Sequence, residues 1–218
     1  MHLFFPGRNF TTALLSVMKI HYFSGLIMTA FVGLHLFNHI CALWGAGMHI
    51  EIMNILRPFY RNTWVESLLL AATGVQVISG IRLVRMHRKT AVSGFDKLQI
   101  LTGLYLAFFL IIHVSAVFAG RFLLNLDTNF FFGVAGLNTF PYNLFFVPYY
   151  GLAVFSFFGH IASVHSKKMQ WHVLGLTPGT QAKIIISGGL AFTFLLFYGL
   201  TNQFKGVEIP EPYRILAP

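Results

Sequence analysis

Residues 98–120 read LQILTGLYLAFFLIIHVSAVFAG, a stretch without one Asp, Glu, Lys or Arg. At a rise of about 1.5 Å per residue, a helix of this length crosses a hydrocarbon layer about 30 Å thick. Working outward, four more stretches supply the roughly 20 mostly apolar residues that a span requires: 20–44, 64–83, 144–165 and 184–200. The first is too long, and lacks the small-residue exit, for a cleaved signal peptide. The longest gaps between spans, 46–63 and 121–143, are short by the standards of a soluble domain. The expected architecture is therefore all-α: one domain, residues 1–218, built as an up-down bundle of five transmembrane helices. The fifth should pack on the side of the other four through Gly188 and Gly189.

Composition agrees. Of 218 residues, 56% are hydrophobic and 10% charged, against roughly a quarter charged in soluble domains. An ordinary cytosolic enzyme and a disordered chain are both excluded. Cys41 is the sole cysteine, so neither an intrachain disulfide nor a cysteine zinc site is available.

The net charge of +9 sits in short clusters between apolar runs, which reads as membrane topology and not as a nucleic-acid face. The N-terminus, second loop and fourth loop carry Arg8, Lys19, Arg82, Arg85, Arg88, Lys89, Lys97, Lys167, Lys168 and Lys183, opposed only by Asp96. The other side carries Arg57, Arg61, Arg121, Lys205 and Arg214 against Glu51, Glu66, Asp127, Glu208 and Glu211. The positive-inside rule then puts the N-terminus of this multi-pass chain in the cytoplasm and its C-terminus outside. In the outer loops, 49–60 (HIEIMNILRPFY) has near-helical spacing up to Pro58 and reads as a short interfacial helix. The aromatic, Gly-rich 130–140 is expected against or within the outer interface. Both read as packing or anchoring segments.

Ten histidines in such a chain invite a haem reading, because imidazole is a common axial ligand and ionisable groups inside a membrane are costly. His2, His49, His87 and His172 fall outside spans or at their ends and read as solvated. His21 and His165, near cytoplasmic span ends, read the same way. His35, with His39 one turn on, His113 and His160 are deep. His35 and His113 each lie 15 residues into outward-running spans, so their levels match in the outer half. His160 lies in the inner half without a histidine partner, and the second span offers Gln76. A lone buried histidine is otherwise explained by a hydrogen bond to a neighbouring helix.

The first span, HYFSGLIMTAFVGLHLFNH at 21–39, resembles the opening of the five-span cytochrome b subunit of succinate dehydrogenases and fumarate reductases. His21, Gly25, His35 and Asn38-His39 hold the places of that family's His, Gly, deep ligand His and Asn-His. LQILTGLYLAFFLIIH at 98–113 is similar to its Leu-Gln-x-x-Thr-Gly run with a ligand ten residues on, here His113. QVISGIR at 76–82 resembles the family's His-x-x-x-Gly segment, but with Gln76 in the ligand's place. In the fourth span, His160 matches the remaining ligand.

The resemblance implies an outer haem b on His35 and His113, with His39 in reserve, and an inner site where Gln76 faces His160. A Gln amide is a poor substitute for imidazole on iron. One haem is therefore expected, and an inner quinone site using His160 and Gln76. The implied function is the membrane anchor passing electrons between cytoplasmic flavoprotein and iron–sulfur subunits and a membrane quinone. The basic loops would be the docking face, and Glu66 a proton carrier for an outer quinone site or a helix-start carboxylate. The alternative is a stand-alone five-span cytochrome, or a haem-free scaffold, with no dehydrogenase role. Self-association into a homo-oligomer is compatible with either. No phosphate loop, catalytic triad spacing or nucleic-acid motif is present.

Overall fold

The structure is a computed structural model describing residues 8–217, with side chains from Leu14 onward; His2 and the side chain of Arg8 lie outside the described residues. Seven helices follow one another: α1 (Arg8–Ile40), prolonged by a 3₁₀ turn at Cys41–Trp44, α2 (Ala46–Tyr60), α3 (Thr63–His87), α4 (Gly94–Phe118), α5 (Phe130–Asn138), α6 (Asn143–Lys168) and α7 (Pro178–Leu200). Helix makes up 81% of the structure, and no strand occurs among the described residues. Five helices, α1, α3, α4, α6 and α7, are long and apolar enough to cross a membrane. The chain is a multi-pass, all-α membrane bundle.

Helix starts follow local chemistry. Ser93 and Asp96 form a reciprocal capping box at α4, the Asn62 side chain accepts from Trp64 N at α3, and Thr177 accepts from Thr180 N ahead of Pro178 at α7. Outward positions carry large apolar side chains such as Phe23, Leu101, Ile111 and Phe194, all exposed. In water they would be a liability; in a bilayer they are the solvent face. The first span begins well before residue 20, because no breaker separates the polar start from the apolar run.

Helix α1 packs along α3, and α4 along α6; α3 adjoins α4, and α7 lies along α6. The packing expected of the two fifth-span glycines is divided. A Cβ on Gly189 would overlap the Phe158 ring, whereas one on Gly188 meets nothing within 4 Å. Close approach is also used at Gly199, where a Cβ would lie 2.8 Å from Leu43 N.

The two ends of the bundle differ. One is capped by α2, α5 and a 3₁₀ segment at Glu211–Leu216, around a core of Ala42, Phe130 and Val134. Asn138 laces this cap: its Nδ2 donates to Leu200 O at 3.1 Å, and its Oδ1 accepts from Val207 N at 3.0 Å. Helix α5 packs into this cap with Ala135 fully enclosed, while Phe140 beyond it is exposed. Helix α2 continues two residues past Pro58. The opposite end is basic, with Lys19, Arg82, Arg85, Lys97 and Lys183; there Lys167 pairs with Asp96 and also donates to Gln99 Oε1 at 2.6 Å.

Candidate functional site: a central cavity with two polar levels

Between the α1–α3 pair and the α4–α6 pair runs a cavity of about 1360 Å³. It extends from Lys19 and Lys168 at the basic end to Arg61 and Arg121 under the cap, with mostly apolar walls. Pockets for drug-sized ligands are commonly about 300–1,000 Å³, so this one has room for a large occupant. His21, His35, His39, His113, His160 and Gln76 all line it.

Toward the cap, His35 of α1 and His113 of α4 face each other with ring centroids 6.1 Å apart. The two ring planes are inclined by 68°, the edge of one toward the face of the other. Phe31 stacks on His35 at 5.9 Å and Phe109 on His113 at 4.9 Å, fixing both ring planes, while Tyr150 meets His113 edge-on. Behind His35 stands a hydrogen-bonded chain: His35 Nε2 to His39 Nε2 at 3.1 Å, His39 Nδ1 to His49 Nε2 at 3.1 Å, and Asn38 Nδ2 to His49 Nε2 at 3.3 Å. With Asn38 donating, His49 Nε2 must accept, so the His49 proton sits on Nδ1, which is buried without a partner, as is Asn38 Oδ1. A metal on His35 must therefore use Nδ1 or displace His39.

Toward the basic end the donors turn away from each other. Gln76 Nε2 donates to His21 O at 2.5 Å and Ser24 Oγ at 2.9 Å, both on α1. His160 Nδ1 lies 3.2 Å from Gln99 O and 3.4 Å from Thr102 Oγ1, both on α4. A carbonyl can only accept, so Nδ1 carries the proton and the lone pair of neutral His160 is on Nε2. Gln76 and His160 line one cavity but satisfy themselves within separate helix pairs.

Three histidines read as solvated are not. His49 is only 2% exposed, against Phe130 at a centroid distance of 5.1 Å. Its burial pushes the imidazole down to about 4, with nearby His35 adding to the effect. The signal available in sequence was its spacing from Met53, one helical turn away on the apolar face of α2, since both are buried. His21 Nδ1 is 2.8 Å from Ser79 Oγ, and His165 Nε2 donates to Gln181 Oε1 at 2.8 Å. His87 and His172 are exposed. Glu66 is paired with Arg121, which sits in a π-helical turn at Ala119–Leu123 that ends α4. Asn38 and Gln99 entered the sequence reading only as motif positions and Arg61 only as a charge of the outer side; their hydrogen-bond roles depend on which helices pair, which local pattern does not carry.

No family model, curated protein or solved structure matches this chain. Among the described residues no group of three or more His, Cys, Asp or Glu is arranged to hold a metal ion.

Proposed function

We propose that this chain is the haem b-binding, quinone-reactive membrane subunit of a succinate:quinone or quinol:fumarate oxidoreductase, in the cell's inner membrane. The observation that carries the reading is the facing pair His35 and His113, 6.1 Å apart across a cavity large enough for a porphyrin. Haem bound there supplies one-electron transfer. His35 and His113 would hold it, and Phe31 and Phe109 orient the two rings. At the other level, Gln99 O fixes the His160 tautomer, so neutral Nε2 accepts from a quinol hydroxyl and, protonated, donates to a quinone carbonyl. The basic end supplies the charge for docking flavoprotein and iron–sulfur subunits. A reduced-minus-oxidised spectrum of the purified chain tests the reading: a b-type band supports it, and none would count against it.

One observation favours a second reading, a five-span cytochrome or scaffold without a dehydrogenase role. Gln76 is engaged on α1 and so does not present a second ligand opposite His160. A relay from the basic face to the capped-end haem would lack its middle station. Co-purification with flavin and iron–sulfur subunits decides between the two.

A further inference from the structure

Three guanidinium groups gather where the cavity meets the cap. Arg57 pairs with Asp127 at 3.0 Å and Arg121 with Glu66. Arg61 has no carboxylate within ion-pair distance among the described residues; its Nη2 donates to the Thr128 hydroxyl at 2.6 Å. Arg61 and Thr128 both line the central cavity. Three cations against two carboxylates leave one positive charge at the cavity's capped end. Burial, then Arg57 and Arg121, hold the Arg61 pKa below its usual value, as expected where compensating charge is short. Arg61 is part-buried, feels Asp127 without pairing to it, and has one N–H bonded to Thr128, so its remaining N–H groups can take an anion from the cavity.

We propose that Arg61, with Thr128 beside it, is an anion subsite that receives a carboxylate or phosphate oxygen of a largely apolar molecule seated in the central cavity. The walls below fit such a molecule. Tyr60 meets Phe31 edge-on at 6.0 Å, and Phe31 stacks on His35, so a head group at Arg61 leaves its apolar body against the His35–His113 level. A planar guanidinium takes a carboxylate or phosphate through two parallel hydrogen bonds, which sets the orientation of the body as well as holding it. Where the occupant is haem, as in the proposed function on which this inference rests, the anion is a propionate; where it is a lipid, the anion is its head group.

Haemin and its dimethyl ester, in which both carboxylates are masked, separate these cases. The full chain, purified without haem, is titrated with each, and binding is read from the Soret band. The wild type is expected to bind the free acid at least about tenfold more tightly than the ester. Arg61→Gln is expected to bring that ratio to about one, and Arg61→Lys to retain part of it as a point charge. Equal binding of both porphyrins to the wild type, with an intact bis-imidazole spectrum, overturns the subsite and leaves the haem reading standing. If neither porphyrin binds, the haem reading fails and lipid decides. Thermal stabilisation by phosphatidylglycerol over phosphatidylcholine nanodiscs, lost in Arg61→Gln and kept in Arg61→Lys, supports the subsite; equal response to both lipids in the wild type overturns it. The wild-type arms need no variant to fold.

Discussion

The two polar levels of the cavity are built from similar groups and behave in opposite ways. At the capped level, His35 and His113 come from helices of different pairs, and their rings meet across the cavity. At the basic level, Gln76 and His160 also come from different pairs, yet each bonds inside its own pair, to α1 and to α4 respectively. What differs is the partner within reach. Gln76 has an extended amide beside the Ser24 hydroxyl and the His21 carbonyl of α1, whereas Phe109 stacks flat on His113 and offers it no hydrogen bond in that direction. A buried polar group takes the nearest partner, because leaving it unmade costs about 1–3 kcal/mol. His35 is held in part as well, its Nε2 taken by His39 of the same helix, so what this level offers the cavity is His35 Nδ1 and the ring of His113.

The largest test of this contrast is loss of the capped-level pair. His113→Ala is expected to abolish haem incorporation, measured as haem per chain by pyridine haemochrome, while the exposed His172→Ala leaves it unchanged. Haem retained in full by His113→Ala would break the assignment.

Next comes conversion of one level into the other. Gln76→His removes the amide that ties α3 to Ser24 and His21, and places an imidazole opposite His160, whose Nε2 already carries a lone pair. The expected outcome is a rise from one haem per chain to two. A wild type already holding two haems would show that the basic level is not closed by Gln76.

Much of this was legible in the sequence, for a physical reason. Span number follows from run length, because transfer into hydrocarbon sums over residues regardless of what each one touches. Residues 98–120 announce α4 for that reason. What a side chain touches depends on which helices pair, and no local pattern carries that. Gln76 and His160 line one cavity, but α1 and α4 claim them first. His49 lies in a loop-length segment and reads as solvated until α2 and α5 close over it. Gly188 and Gly189 are indistinguishable in sequence, and the crossing of α6 on α7 selects one of them.

His49 gives a pH test at the capped level. Its imidazole titrates at about 4 in the fold and at 6.5 when free, so between those values the unfolded chain binds the proton first. The contribution of a neutral His49 is complete above pH 6.5 and is lost as pH falls through 4. His49 is expected to account for up to about 3 kcal/mol of the stability that the haem-free wild type loses over that interval, and His49→Gln to show a flatter profile by chemical denaturation in detergent. Matching profiles for the two proteins would mean that His49 is not the group protonating on unfolding.

The smallest effect compares two glycines of α1, one at each level. Alanine in a helix interior is favoured over glycine by about 0.5–1 kcal/mol, so either replacement starts with the same gain. At Gly33 a Cβ meets nothing within 4 Å, and the gain should be kept. At Gly25 the Cβ would lie 3.0 Å from Gln76 Nε2, the atom that donates to both His21 O and Ser24 Oγ. The amide cannot withdraw without loosening two hydrogen bonds to the same helix, each worth about 1 kcal/mol, which offsets the gain or exceeds it. Gly33→Ala should therefore raise the melting temperature slightly, and Gly25→Ala should leave it level or lower it. Equal gains at both positions would mean that the Gln76 amide moves freely, and with it goes the reason given for the closed basic level.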